Sequence, residues 1–367
     1  MERTIKFTIP FDQNVIDTIR EYNKACNYCL KVGLKNRTLN KNNLHKMTYN
    51  KVRKRFKLQS SLVCCARDQA SDMLKREKLK KLPIKKEYSS VRYNLRTFSF
   101  KLDGMIISIA TINGRKKLKV NIQKHFLRYI NGRISCATIS FKNGKIEGRF
   151  ISDIVTPEKV KVKNILGIDR GIINPVVTSN NQFFNSNEIK RVKGKYSWLK
   201  ASLQSKGTKS AKRHLKKLSG REKRFMTDTN HVLSKKIANM PFEAFALEKL
   251  QVKRSKKNGN KFNKKLGTWA FKQFQIFLQY KAEALGKIVV LVDSRHTSQV
   301  CSNCGHLSRS NRKGVTFKCL KCGFCLHSDL NASRNIAELG KAFFSRLPVN
   351  QPIVASFNEF SYKPLTC

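Results

Sequence analysis

Acidic residues are scarce in this sequence. Only 23 Asp and Glu stand against 76 Lys and Arg over 367 residues, leaving a formal charge of +53 and a pI near 10.3. Such self-repulsion destabilises a compact chain, and a polyanionic partner is the usual reason to tolerate it. The basic residues run along most of the chain, which favours long nucleic-acid grooves over a membrane anchor. Long apolar runs are also lacking: the strongest, Ile288 to Val292, stops after five residues, far short of a bilayer span. The opening MERTIKFTIPF has neither an apolar leader core nor a small-residue cleavage site. Neither secretion nor membrane insertion is expected. No internal repeat is evident. What is present suffices for folding, because 40% hydrophobic residues can fill real cores and the length suits about two or three domains.

Thr4 to Ile9 alternates Ile5, Phe7 and Ile9 as a strand, after which Val15, Ile19, Tyr22, Cys26 and Cys29 recur at helical spacing. Basic helical patterning continues to about Lys81, near Pro83. From Val91, the dipeptides Asp103-Gly104, Asn113-Gly114, Asn131-Gly132 and Asn143-Gly144 punctuate short β-rich runs, a hairpin signature. This predicts an antiparallel barrel or meander with a helical insertion after its first strand. A boundary falls near Thr156-Pro157. Beyond it, Ile165–Ile168, Pro175–Thr178 and Gln182–Phe184 read as strands. A basic helical stretch follows from Lys190 to Lys236, broken at Ser219-Gly220. Next come the strand Ala244–Leu247, a Lys/Asn/Gly-rich loop at Ser255–Lys265, an amphipathic helix from about Trp269 to Leu285, and the strand Ile288–Val292. That order describes an α/β layer on a mixed sheet.

Five of the eleven cysteines lie between residues 301 and 325. Cys301-x2-Cys304 and Cys319-x2-Cys322, each followed by glycine (Gly305, Gly323), form two knuckles whose four thiolates suit tetrahedral structural zinc. Cys325, His306 and His327 are rival ligands, of which Cys325 is the nearest, and the two-knuckle solution leaves it over. Cys26-x2-Cys29 lacks the glycine and sits on a helical stripe. With Cys64, Cys65 and Cys136 it reads as small buried hydrophobes in a reducing, intracellular compartment.

In so basic a chain, an acid at the end of an apolar strand is informative. Asp169 ends Ile165-Leu166-Gly167-Ile168-Asp169, Glu248 ends Phe245-Ala246-Leu247-Glu248, and Asp329 follows the cysteine module at a helix start. Each has a plain alternative, a salt bridge with a nearby Lys for the strand-end acids or a helix cap for Asp329. Together they offer hard oxygen ligands for two Mg²⁺ or Mn²⁺ ions about 4 Å apart, the arrangement that hydrolyses phosphodiesters. Sequence separation alone does not bring the three together.

The order GID, a strand ending in Glu, TSQVCSNCG, KCG and DLNAS resembles the TnpB family of transposon-encoded RNA-guided nucleases, related to Fanzor proteins and compact type V CRISPR effectors. The resemblance is tight over residues 164 to 340. It implies a multidomain α+β and α/β protein. A wedge-like antiparallel β-barrel would span 1–12 and 84–160, with a helical recognition insertion at 13–83. A RuvC/RNase H-like α/β core would span 161–296 and 329–342, a zinc ribbon 297–328 and a tail 343–367. It further implies Asp169, Glu248 and Asp329 as catalytic ligands of Mg²⁺ or Mn²⁺, and Cys301, Cys304, Cys319 and Cys322 as ligands of Zn²⁺. The implied activity is RNA-guided cleavage of DNA, with guide RNA and double- and single-stranded target DNA as partners. The 190–236 helices would line the RNA–DNA channel, and Arg334 and Asn331 would help place the scissile phosphate. His296 stands where an aromatic is common, and Ser333 replaces the second Ala of the DxNAA run. Alternatives are a non-cleaving guided regulator, a transposase and a CRISPR-associated effector. The expected compartment is the cytoplasm or nucleoid of a prokaryote, or a nucleus in a eukaryotic or viral setting.

Overall fold

A computed structural model describes residues 1–75, 83–158, 160–250, 259 and 271–345. The chain divides into two units, Met1–Val155 and the part from Thr156 onward. Among the described residues no helix is long and apolar enough to cross a membrane.

In the first unit, strand β1 (Glu2–Ile9) buries Ile5, Phe7 and Ile9 on one face, as its alternation dictates. The chain then leaves the sheet through three helices, α1 (Gln13–Lys35), α2 (Lys41–Arg55) and α3 (Ser60–Leu74). Asp12 caps α1, accepting from the Val15 N–H at 3.2 Å. Cys26 and Cys29 are fully enclosed on the inner stripe of α1, and burial pushes their thiols up to about 12 and about 11. Cys65 is buried too, whereas Cys64 and Cys136 are partly exposed.

The remaining strands are β2 (Val91–Tyr93), β3 (Phe98–Lys101), β4 (Ile106–Thr111), β5 (Gly114–Lys119), β6 (Asn121–Ile122), β7 (Arg133–Lys142) and β8 (Lys145–Asp153), with a short helix α4 (Lys124–Leu127) before β7. They pair antiparallel in two sheets, β2-β7-β8-β1-β6 and β3-β4-β5, which share a core of Phe7, Phe98, Phe100 and Phe150. Closure into a barrel is not among these pairings. Three of the four glycine dipeptides sit in hairpin turns; at Asn143-Gly144 both residues have positive φ (52° and 74°), the type I′ requirement. Asn131-Gly132 does not turn a hairpin. Gly132 lies against β8, where a Cβ would come within 2.5 Å of the Asp153 carbonyl oxygen, so close approach excludes a side chain there.

The second unit is built on strands β9 (Ile165–Asp169), β10 (Val176–Thr178), β11 (Gln182–Phe184), β12 (Ala244–Glu248) and β13 (Ile288–Val292), in the order β11-β10-β9-β12-β13. β9, β12 and β13 are parallel; β10 and β11 are antiparallel. Helices α5 (Asn187–Lys206), α6 (Lys209–Leu218) and α7 (Arg221–Ala238) form the basic stretch. A second break there, which the sequence reading did not place, comes at left-handed Gly207 (φ 63°), and Thr208 caps α6. Leu166, Ile168, Phe245 and Leu247 face Ile237 of α7 and Phe274 and Leu278 of helix α8 (Phe271–Glu283). On the other face, Ile165, Ala244 and Ala246 meet Ile336 of the last helix, α9 (Ser328–Ser345). Helices therefore cover both faces of the sheet. Trp269 and the expected loop Ser255–Lys265 lie outside the described residues, apart from 259. Of the tail expected over 343–367, residues 343–345 belong to α9, with Phe343 and Phe344 packed beside Ile336's cluster, and residues 346–367 lie outside the described residues. Between β13 and α9 lies a small three-stranded sheet of β14 (Arg312–Lys313), β15 (Thr316–Lys318) and β16 (Cys325–His327).

Candidate functional site

Strands β9 and β12 run in register, with Ile168 opposite Leu247, so the next residues, Asp169 and Glu248, end neighbouring parallel strands at one edge. The third acid reaches that edge on α9. A Cβ on Gly167 would lie 1.9 Å from the Ser333 carbonyl oxygen and 2.5 Å from the Ala337 nitrogen, so this glycine lets the helix backbone rest directly on β9. Gly340 repeats the contact over Ala246 and Ile165 near the opposite ends of the strands. The helix thus descends from the carboxyl edge of the sheet, with Asp329 in its first turn. Ser333 fits this packing, donating to the Leu330 carbonyl at 2.8 Å.

Burial, with the charges of Glu248 and Asp329 adding to it, pushes the Asp169 carboxyl up to about 7. Burial raises Glu248 as well, opposed by the Thr297 hydroxyl and by Arg170 and Arg312. The neighbouring carboxylates of Glu248 and Asp329 thus disfavour the ionised form of Asp169, and hard oxygen donors of this kind suit a divalent cation. Cation binding requires Asp169 to give up its proton. The expected consequence is Mn²⁺ affinity about tenfold weaker at pH 6 than at pH 8. Titration calorimetry on the nucleic-acid-free chain measures it, and equal affinity at the two pH values would contradict the raised carboxyl.

Several neighbours of the acids carry no local sequence signal. Thr297 donates to Glu248 Oε1 at 2.5 Å, and Asn174 Nδ2 donates to Asp329 Oδ2 at 3.1 Å. Arg312, on β14, places Nη2 3.6 Å from Asp329 Oδ1. Arg170 is buried, and desolvation brings its guanidinium down to about 10. It donates to the Glu248 backbone carbonyl, to the Phe271 carbonyl at 3.3 Å and to Gln275 Oε1 at 3.4 Å. His327 lies beside Asp329, whose N–H it accepts at 3.2 Å, and not among the sulfurs.

Asn331 does not face the acids as the sequence reading expected. Its Nδ2 donates to the Val300 carbonyl at 2.7 Å and its Oδ1 accepts from the Ser302 N–H at 2.9 Å, which uses up the amide in holding the cysteine module. Asn335, one turn on, donates to the carbonyls of Thr297 and Val300, both at 2.8 Å. Arg334 is partly exposed.

The sulfurs of Cys301, Cys304, Cys319 and Cys322 all lie within 4.8 Å of one another, with 3.8 Å between Cys301 and Cys322 and 3.6 Å between Cys304 and Cys319. Zn–S bonds of about 2.3 Å give a tetrahedron with edges of about 3.8 Å, so the cluster is consistent with structural zinc. Left-handed Gly305 and Gly323 (φ 73° and 72°) turn the chain so that backbone N–H groups meet the sulfurs. The Phe324 N–H helps hold the Cys322 thiol down to about 6, whereas burial pushes the Cys301 thiol of the same cluster up to about 12. Cys325 stands outside this group, exposed, its Sγ 3.4 Å from the Gly323 carbonyl oxygen. Asn311 stitches the two knuckles, donating to the His306 and Gln299 carbonyls and accepting from the Leu320 N–H.

Two family models match parts of this chain. Residues 143–259 match the family OrfB_IS605, described as "Probable transposase", and residues 271–336 match "Cas12f1-like, TNB domain". Over 116 residues the chain is 35% identical to the CRISPR-associated endodeoxyribonuclease Cas12f1 of Sulfoacidibacillus thermotolerans, covering 31% of this chain and 27% of that protein. Over 260 residues it is 26% identical to the TnpB-like protein MJ0751 of Methanocaldococcus jannaschii, covering 65% of this chain and 91% of the relative. The solved structure of a Cas12f1–sgRNA–target DNA complex shares the fold, with a TM-score of 0.65 at 17% identity over 89% of this chain and 83% of that one. Residues 143–259 are thus of the OrfB_IS605 (TnpB-like) kind, and residues 271–336 carry a TNB domain of the Cas12f1 kind.

Proposed function

We propose that this chain is an RNA-guided DNA endonuclease associated with a transposable element. The observation that carries the reading is the crowding of Asp169, Glu248 and Asp329 at the carboxyl edge of one mixed sheet. These carboxylates would hold a pair of Mg²⁺ or Mn²⁺ ions, which when bound supply an activated water and stabilise the leaving oxygen in phosphodiester hydrolysis. Thr297 fixes the orientation of Glu248, and Asn174 that of Asp329. Arg312 stands where a non-bridging phosphate oxygen would approach, and Arg170 supplies a fixed positive charge behind the acids. The basic helices α5 to α7 would track the backbone of a guide–target duplex, with sequence read by base pairing. In the same reading the first unit is the wedge, its helices α1 to α3 the recognition insertion, and residues 297–328 the zinc ribbon.

Guidance is tested by exchanging the guide. Purified chain with an RNA of altered guide sequence should cut the newly matched duplex and spare the old one. Cutting that ignores the guide would leave a nuclease without RNA direction. The description of the 143–259 family favours a second reading, a transposase. Joined strand products in the same assay would support it, and hydrolysed ends alone would exclude it.

The zinc assignment has its own outcome. Cys304→Ser should lose the metal and loosen the segment feeding Asp329, because structural zinc carries folding energy. Cys325→Ser should keep one zinc per chain. Elemental analysis of both variants decides; metal lost from Cys325→Ser and kept in Cys304→Ser reverses the ligand set.

A further inference from the structure

One end of the first unit holds a cleft of ≈ 770 Å³ that the nuclease reading does not use. It lies between the end of β1, the turn before β4, the β5–β6 corner and the Asn143-Gly144 hairpin. Its volume falls in the range of small-molecule sites. Its surface is apolar, formed chiefly by Ile9, Phe11, Met105, Val120, Leu127 and Ile146. Phe11 is 71% exposed, and Leu127 39%. Water-facing rings and aliphatic chains grouped in a concavity mark an interaction site more often than chance exposure does.

The polar side chains at this cleft are few, Lys119, Lys145, Asn121 and Thr8, and none is acidic. Lys119 and Lys145 line it, and neither is paired with an acid among the described residues. No acid lines the cleft, and none occurs in the sequence between Asp103 and Glu147. Asn121 also lines it, with an exposed side-chain amide that has no hydrogen-bond partner among the described residues. An apolar slot with an exposed ring, two unpaired ammonium groups and one free amide complements a nucleotide. The slot takes the face of a base, the lysines the flanking phosphates, and the amide the base edge.

We infer that this cleft binds an unstacked base of RNA. Looped RNA presents splayed bases at no cost, whereas duplex DNA must first break a stacked pair. The inference rests on the RNA-binding part of the proposed function and adds a site to it.

The test feeds 4-thiouridine to cells expressing the full chain, irradiates the purified complex and maps crosslinked peptides by mass spectrometry. Crosslinks are expected on residues 7–11 and 119–128. Because Phe11 is exposed, Phe11→Ala should fold normally. That variant and Lys119→Glu should each weaken binding of the co-purifying RNA about tenfold, while Ile276→Ala, an exposed apolar residue on α8, should not change it. RNA that crosslinks only elsewhere, or binds Phe11→Ala as tightly as the unaltered chain, overturns the inference and leaves RNA binding intact. Absence of any bound RNA fails the guided reading as well. Crosslinks at the cleft from labelled target DNA instead of RNA, or to another segment of protein, would assign it a different occupant.

Discussion

Asp169→Ala, Glu248→Ala and Asp329→Ala are each expected to slow DNA cleavage by at least about a thousandfold, equal to about 4 kcal/mol of barrier, with guide RNA and target still bound. Removing one carboxylate leaves the cation site short of a ligand at the position where water must be activated. Binding survives because it draws on the basic surface, and losing an acid lowers the repulsion of phosphate. Glu248→Gln serves as the shape-preserving control: it keeps the Thr297 contact within reach and should still fail to cut. Cleavage by the unaltered chain should need Mg²⁺ or Mn²⁺ and fail with Ca²⁺, whose looser coordination suits two-metal chemistry poorly. A labelled duplex with a matched target, assayed for cutting and for binding in the same samples, separates the two. Full cutting by Asp169→Ala would remove this edge of the sheet from the mechanism.

Gly167→Ala should be among the most damaging single-methyl additions in the molecule. The new Cβ would sit 1.9 Å from the Ser333 carbonyl oxygen, a backbone atom that cannot swing aside, so the whole helix must lift from β9. Overpacking of this kind costs on the order of 3 kcal/mol. Asp329 moves with the helix, and a misplacement of about 1 Å costs about a hundredfold in rate. Gly194→Ala on α5 is the matched control. Its Cβ meets nothing within 4 Å, and alanine there should stabilise the helix by about 1 kcal/mol. Chemical denaturation of the two variants tests the contrast; equal stability would mean that α9 does not lie on the sheet as described.

The strands and the three candidate acids were readable from the sequence because their cause is local, whereas the meeting of those acids at one edge was not. Ile5, Phe7 and Ile9 alternate, and a carboxylate closing an apolar run such as Phe245-Ala246-Leu247-Glu248 has few bland explanations in a chain this basic. The cysteine spacing likewise encodes its own geometry. What was not readable depends on partners distant in sequence. Nothing around Arg312 or Asn174 announces that they will stand beside Asp329, and Thr297, though it opens the TSQVCSNCG run, gives no local sign of its bond to Glu248. Asn331 looked like a site residue because it neighbours Asp329, yet helical rotation turns it toward Val300 and Ser302. Asn131-Gly132 carries the same letters as Asn143-Gly144, but one glycine serves a positive φ and the other the proximity of β8. Two sheets sharing one aromatic core also produce the same hairpin pattern as a closed barrel, so that pattern alone cannot distinguish them.

The position of α9 at the end of the second unit sets the order in which that unit can be completed during synthesis. β9 leaves the ribosome early, yet the helix that covers its Gly167 face is made only after the other strands and the cysteine module. Contacts this distant in sequence form slowly, and domains emerge at about 5–20 residues per second. A nascent chain ending before Asp329 holds at most two of the three acids and an uncovered sheet face. On the proposed function, cutting would therefore begin only once that helix has docked, and until then the exposed face of β9 and β12 is where a stalled chain would aggregate.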